Sequence, residues 1–342
     1  MSGVSFVVPV HNGASCIAAT LASIAAQADG CPIEIIVVDD ASRDGSGALL
    51  QSLAQVYPLR IVTGPGKGAA AAVNAGIVLA AHPIICQVDQ DVVLEPGWMA
   101  TLVAALEDPA VAAAQGCYTT DRTASFFSRV MALDLEHRYS RVGGDSNHVC
   151  TGNTAYRADA LRAVGLLDES LGYGYDNDLS YRLQAAGYRL AFRRDARSRH
   201  RWREGVAGYV AQQYGFGYGR LDVVARHPAR LAGDAVSPIA MMAHPVVMGV
   251  ALLLVGIGAT RAGLALLALL AVERAAAGVR AWRMFGDPAA LAFPLVHLIR
   301  DAAWIAAIVT WGTRRILRRP IKPAHSMSGR QALRRSSGQA TT

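Results

Sequence analysis

The chain has 342 residues, 52% of them apolar and only 17% charged, with 33 Lys plus Arg against 26 Asp plus Glu. A formal charge of +7 would admit a nucleic-acid partner, but from Arg314 onward there are eight basic residues and no acidic ones, so everything before sums to about −1 and no nucleic acid is expected. Five scattered cysteines without Cys-x-x-Cys spacing exclude a disulfide framework or a zinc ribbon, and the chain opens directly on strand-like sequence, so a reducing compartment and no signal peptide are expected.

Residues 4–9 read as a first strand, followed by the turn Val10-His11-Asn12-Gly13, and Ile17, Leu21 and Ile24 then recur on one helical face. Residues 33–40 form a second strand ending in Asp39 and Asp40, with Leu49, Leu53 and Val56 at helical spacing after it. Residues 59–63 are a third strand, after which Gly64-Pro65-Gly66-Lys67-Gly68 opens an Ala-rich helix reaching about Ala81. The apolar run from Ile84 is the fourth strand, and it ends in Asp89-Gln90-Asp91. Alternating strands and helices predict an α/β fold with a doubly wound, mainly parallel sheet, whose ligands sit beyond the carboxyl ends of the strands. Pro9, Val10, Asn12, Asp39, Asp40, Lys67, Asp89 and Asp91 all fall at that edge.

In an extended strand, residues i and i+2 point to the same side, so Asp89 and Asp91 can converge on one hard cation, magnesium or manganese, with positions left for phosphate oxygens. The plain alternative is a pair of solvated acids at a strand exit. A dinucleotide-dependent oxidoreductase is excluded because its Gly-x-Gly-x-x-Gly would follow strand one, where Pro9-Val10-His11-Asn12-Gly13 stands instead.

Five blocks in register resemble glycosyltransferase family 2 and its GT-A fold. They are residues 7–12, residues 36–45, Asn74-Ala75-Gly76, Val88-Asp89-Gln90-Asp91, and the later group formed by residues 151–157, 164–169 and 174–182. The resemblance covers about residues 1–225 and implies an inverting, non-processive transferase that uses a nucleotide-diphospho-sugar, since the Gln-x-x-Arg-Trp of processive relatives is missing. It implies that Asp40 accepts from the nucleotide base, an arrangement suited to an imide N–H such as that of uracil, because a carboxylate accepts but does not donate. Asp39 caps the turn or touches ribose, and Pro9 and Val10 shape the base pocket. Lys67 meets a phosphate or is a solvated loop lysine. Asp89 and Asp91 match the metal and diphosphate motif, with Asp91 the more direct ligand and His200 a late metal or phosphate contact. Asp176 matches the base that deprotonates the acceptor, its alternative being a helix N-cap. Gly152 and Asn153 open the acceptor-side block, and Tyr175 occupies the position of a Glu usual in the family, which leaves the acceptor side less defined than the donor side.

Beyond residue 225, residues 226–234 read as a linker and residues 235–313 as membrane-associated helices. No Asp, Glu, Lys or Arg falls between Asp234 and Arg261, a stretch long enough for a bilayer crossing of about 20 residues. Residues 262–272 are apolar but short before Glu273-Arg274, and residues 288–313 are interrupted only by Arg300-Asp301, a pair costly in hydrocarbon unless it is matched or faces protein. Basic residues from Arg314 mark the cytosolic side, so two crossings are expected, with the middle segment re-entrant or interfacial. Residues 314–342 read as a basic tail, disordered at its end. The resulting expectation is an enzyme of the cytoplasmic membrane with its catalytic domain in the cytosol and a lipid or cell-envelope glycan as acceptor. A polyprenyl-phosphate sugar synthase is the alternative within the class, and a non-catalytic sugar-nucleotide-binding scaffold the alternative outside it.

Overall fold

The computed structural model describes residues 3–28, 30–202 and 204–317. In chain order the first elements are β1 (Val4–Val10), α1 (Ile17–Ala25), β2 (Ile33–Asp39), α2 (Ser46–Leu53), β3 (Leu59–Thr63), α3 (Ala69–Leu79) and β4 (Ile84–Val88). There follow β5 (Val92–Leu94), α4 (Trp98–Ala105), β6 (Val111–Thr119), α5 (Phe126–Tyr139), β7 (Asp145–Ser146), β8 (Asn153–Arg157), α6 (Ala158–Ala163), α7 (Tyr175–Ala185) and β9 (Arg189–His200). Four long helices complete the described chain: α8 (Val206–Arg226), α9 (Ile239–Gly256), α10 (Thr260–Phe285) and α11 (Phe293–Ile316).

The strands form one sheet in the order β3-β2-β1-β4-β8-β6-β9-β5, with β7 added to β9. Strands β1 to β4 pair in parallel, as the alternation of elements requires. Beyond β4 the sheet is mixed, because β8 lies antiparallel between β4 and β6. Both faces are covered, so the central strands are nearly continuous apolar runs, broken by Ser5, Glu34 and Gln87. Val4, Phe6 and Val8 of β1 pack with Ile17, Leu21 and Ile24 of α1 and Trp98 of α4, while Val7 packs on the other side with α3, α6 and α7. Helix α3 approaches closely: a β-carbon on Gly76 would stand 2.4 Å from Val7 Cγ1, so glycine is required there.

The C-terminal helices differ from the sequence reading in one respect. The middle apolar segment does not stop at Glu273-Arg274, because α10 runs on for 26 residues to Phe285. The charge is tolerated because Arg274 is buried and ion-paired with Asp301 of α11. Arg300 is buried too and faces Asp134 of α5 at 3.5 Å. Both members of Arg300-Asp301 therefore face protein, the condition under which such a pair is stable in a greasy helix. Residues 226–234 contain a turn at Pro228–Arg230 and the buried Asp234, which Arg220 contacts at 3.1 Å, so this segment is pinned to α8. The expected disorder near the C-terminus lies outside the described residues.

Candidate functional site

The exits of β1, β2 and β4 are tied together by backbone and side-chain hydrogen bonds. After β1, the His11 amide donates to Gln90 Oε1 (2.9 Å) and Gln90 Nε2 donates back to the His11 carbonyl (3.2 Å). His11 Nδ1 lies 2.7 Å from the Asp40 carbonyl, and the Asp40 amide donates to the Val10 carbonyl at 2.7 Å. Asn12 takes a left-handed conformation (φ 53°), donates from its amide to Ser42 Oγ and accepts at Oδ1 from the Arg43 amide. Val10 is buried and Pro9 half-buried beside it. Asp39 accepts from the Ser42 amide at 3.1 Å, so it caps the turn.

Asp40 is buried, and its two carboxylate oxygens accept from the amides of Gly66 (2.6 Å) and Gly68 (2.8 Å). This carboxylate therefore shapes the glycine loop. Each oxygen retains a second lone pair. Lys67 stands exposed between those two amides.

Asp89 and Asp91 do not share an extended strand, as the sequence reading assumed. The chain turns at this point, with the Val92 amide donating to the Asp89 carbonyl at 3.1 Å. The carboxylates nonetheless act on each other: burial first, then the charge of Asp91, pushes Asp89 up to about 7, against one hydrogen bond from Gln87 Nε2 (2.9 Å). Asp176 adds to the same upward push, so the carboxylate on helix α7 lies within electrostatic reach of Asp89. Asp176 is itself raised above the ordinary carboxylate range, chiefly by burial, while His148 opposes the shift. It also accepts from the amide of the next residue, Asn177 (2.8 Å), but the N-cap of α7 is Gly174, so Asp176 lies inside the first turn and is not the helix N-cap. Tyr175 is adjacent to both acids, and its phenol is held well above its usual value by burial and then by Asp89 and Asp176.

His200 ends β9 and places Nε2 3.4 Å from Asp91 Oδ1. Its ring is fixed edge-on by Tyr118 and Trp202, with centroids 5.4 and 4.5 Å away, and its buried Nδ1 has no partner among the described residues. The Gly152 carbonyl accepts from the Asp89 amide (3.2 Å), and a β-carbon on Gly152 would fall 2.2 Å from Asp89 Oδ2. Asn153, read as acceptor-side, is fully buried, with Oδ1 accepting from Trp98 Nε1 at 2.6 Å. Its pairing with Val88 in the sheet turns it into the interior, so it supports the site from behind.

A cation fits these residues. Two mutually repelling carboxylates and an imidazole beside one of them are what a divalent ion would relieve. Among the described residues no group of three or more His, Cys, Asp and Glu is placed to hold a metal ion, so these side chains would supply at most part of a coordination shell. Three further residues belong to the constellation. Gln90 was discernible between the two acids. His148 and Asp234, which both contact Asn177 Nδ2 (3.1 and 3.2 Å), carry no local signal because they are brought in from distant segments. A groove of about 1030 Å³ lies elsewhere, between α3 and the segment around Leu166 and Glu169, and contains none of the site carboxylates.

Residues 5–165 match Glycosyl transferase family 2. The chain is 29% identical over 288 residues to the pre-mycofactocin glycosyltransferase of Mycobacterium tuberculosis, an alignment covering 81% of this chain and 58% of that protein. It is 28% identical over 251 residues to the succinoglycan biosynthesis protein ExoA of Rhizobium meliloti, covering 68% of this chain and 75% of the relative. In fold it is similar to the mannosyltransferase PcManGT from Pyrobaculum calidifontis, solved with GDP-Man and Mn2+, at a TM-score of 0.61 and 22% identity, covering 91% of this chain and 87% of that one. The chain thus spans under two thirds of the length of the mycobacterial relative.

Proposed function

We propose that the chain, whose residues 5–165 match Glycosyl transferase family 2, is a membrane-anchored enzyme of that family transferring a sugar, with inversion, from a nucleotide-diphospho-sugar to a lipid or cell-envelope glycan acceptor. The observation that supports this most is that the charges of Asp91 and of Asp176, from a different part of the chain, both act on the buried Asp89 just past the carboxyl end of β4.

Donor binding begins with the Asp40-ordered glycine loop, whose exposed Lys67 is free to meet a phosphate, while Val10 and Pro9 flank the base. A uracil imide would use a remaining lone pair on Asp40. Asp91, with Asp89 and His200 close by, would supply part of the shell of a magnesium or manganese ion, which when bound would offset the charge of the departing diphosphate. Asp176 takes the proton from an acceptor hydroxyl as that oxygen attacks the anomeric carbon from the face opposite the diphosphate. Its raised pKa suits this, because a base is most effective when its pKa approaches the working pH. Tyr175 stands beside Asp176 where the acceptor enters, and Gly152 leaves the space that Asp89 occupies. Asn153 positions this wall through Trp98.

Asp176→Asn keeps the size of the side chain and removes the base. The expected result is unchanged donor affinity with transfer reduced by about 100-fold or more, the usual contribution of a positioned base. Wild-type turnover on a hydroxyl acceptor would remove Asp176 from the mechanism. Turnover retained only on a polyprenyl phosphate would instead favour a lipid-phosphate acceptor, which is already anionic and needs no base.

A further inference from the structure

Helices α9, α10 and α11 are each long and apolar enough to cross a bilayer. Helix α11 differs from the other two in being held to the domain along its whole length, whereas Arg274, Ala277 and Ala281, which seat α10 on α11 and α5, all fall in the C-terminal half of α10. Near its start, Phe293 packs with Val130 and Met131 of α5, and His297 Nε2 lies 2.8 Å from Asp134 Oδ1. Further along, Trp304 Nε1 donates to Gln213 Oε1 (3.3 Å), Trp311 Nε1 to Asp222 Oδ1 (2.8 Å) and Arg314 to the Tyr218 hydroxyl (3.4 Å), all on α8. Helix α8 in turn is seated on the catalytic domain, where Gly215 and Gly219 abut Tyr173 and Arg220 donates to the Tyr181 hydroxyl. Contacts with the domain therefore continue along α11 from Phe293 to Arg314, roughly 32 Å at about 1.5 Å per residue.

A helix fastened in this way cannot cross a bilayer alone. It would draw α5, with Arg129, Glu136 and Arg138, and α8, with Arg220 and Asp222, into hydrocarbon beside it, where each charge is strongly disfavoured. The outer face of α11 points to the alternative. Leu295, Leu298, Ala302, Ala306, Val309 and Ile316 are all exposed and recur every three, four or seven residues, which makes one continuous apolar stripe. Polar contacts on one side and an open apolar stripe on the other are the pattern of a helix lying in the membrane interface.

Building on the membrane anchoring proposed above, we propose that α11 lies in the plane of the membrane surface, its apolar stripe against the acyl chains of the leaflet nearest the catalytic domain, and that α9 and α10 alone enter the bilayer. These two pack as an antiparallel pair, Gly263 of α10 against Ala251 and Val255 of α9, with His244 and Glu273 3.4 Å apart at the end nearer the domain. Such a pair returns the chain to the side it started from. The Arg314-rich tail is then delivered to the same headgroups that face the catalytic domain, where its uncompensated positive charge is attracted by anionic lipid.

Two measurements on the full chain test this. In sealed vesicles, an epitope tag added after Thr342 should be digested by external protease only when the catalytic domain is exposed to it as well. A tag on the opposite side from the domain, the result for three crossings, would overturn the proposal. In a chain with its five cysteines replaced by alanine, nitroxides placed at positions 295, 302, 309 and 316 and reconstituted in liposomes should all report one immersion depth. A depth that passes through the bilayer midplane along this series would overturn it even with the tag on the expected side. Recovery of the native chain from the soluble fraction would overturn the membrane anchoring and this proposal together, whereas loss of sugar transfer alone would bear only on the enzyme reading.

Discussion

A single methyl group tests how closely the two sides of the cleft are fitted. At Gly152 it would stand 2.2 Å from Asp89 Oδ2, so Gly152→Ala must displace the carboxylate that shares its field with Asp91 and Asp176. The expected outcome is metal-dependent donor binding weaker by about tenfold, equivalent to roughly 1.4 kcal/mol, with thermal stability near wild type. Calorimetry and a melting curve check both halves, and unchanged affinity would mean that the donor does not depend on where Asp89 sits. Asp176 allows a second prediction at this scale. Burial raises its pKa, so it becomes protonated at a higher pH than a free carboxylate does. With metal and donor saturating, which holds Asp89 ionised, turnover should therefore fall as the pH drops through a value above about 3.9, the ordinary aspartate pKa, and Asp176→Asn should abolish that acidic limb. At the scale of single residues the donor-side acids were discernible because they cluster at strand ends. The partners of Asp176 were not, since His148 and Asp234 lie far from it along the chain and only folding assembles them.

Between elements, the junction of α5 with α11 depends on Asp134. Burial alone would raise its pKa, but Arg138, His297 and Arg300 outweigh that and hold it well below the usual carboxylate range. Its ionised form is thus favoured on folding, and the corresponding stability is fully present above the ordinary aspartate pKa and is lost as pH falls through the depressed folded value. Asp134→Asn leaves Arg138 and Arg300 without their shared carboxylate and should destabilise the protein by about 3 kcal/mol, the scale on which a buried pair fails when one partner is removed. Thermal unfolding in detergent measures this, and an unshifted melting temperature would show that packing around Phe293 holds the junction by itself. The sequence exposed Arg300-Asp301 as an anomaly but not its resolution. A helix that pairs its charges with Asp134 and Arg274 from other segments looks, by composition alone, the same as one that exposes them to lipid. The extension of α10 through Glu273 and Arg274 was hidden for the same reason.

Taken whole, the molecule is a layered arrangement: a sheet covered on both faces, then α5 and α8, then α11 and the α9–α10 pair with its exposed leucines and valines. The alternation of strands and helices made the first four strands and their common ligand edge legible. The mixed half was less so, since an antiparallel β8 inserted between β4 and β6 leaves no periodicity of its own. The layering predicts that removing residues 235–342 should expose the apolar surfaces of α5 and α8, giving a catalytic domain that aggregates or needs detergent even though its sheet is complete. Size-exclusion chromatography of the truncated chain checks this, and a monodisperse soluble domain would contradict it.

The central claim is that carboxylates from separate elements grip an activated sugar donor through one divalent ion. Its most direct test is calorimetric titration of the full-length chain with a panel of nucleotide-diphospho-sugars, with and without manganese, alongside Asp91→Ala. The account predicts binding of at least one donor that requires the metal and is lost in the variant. Metal-independent binding that Asp91→Ala leaves intact would contradict it.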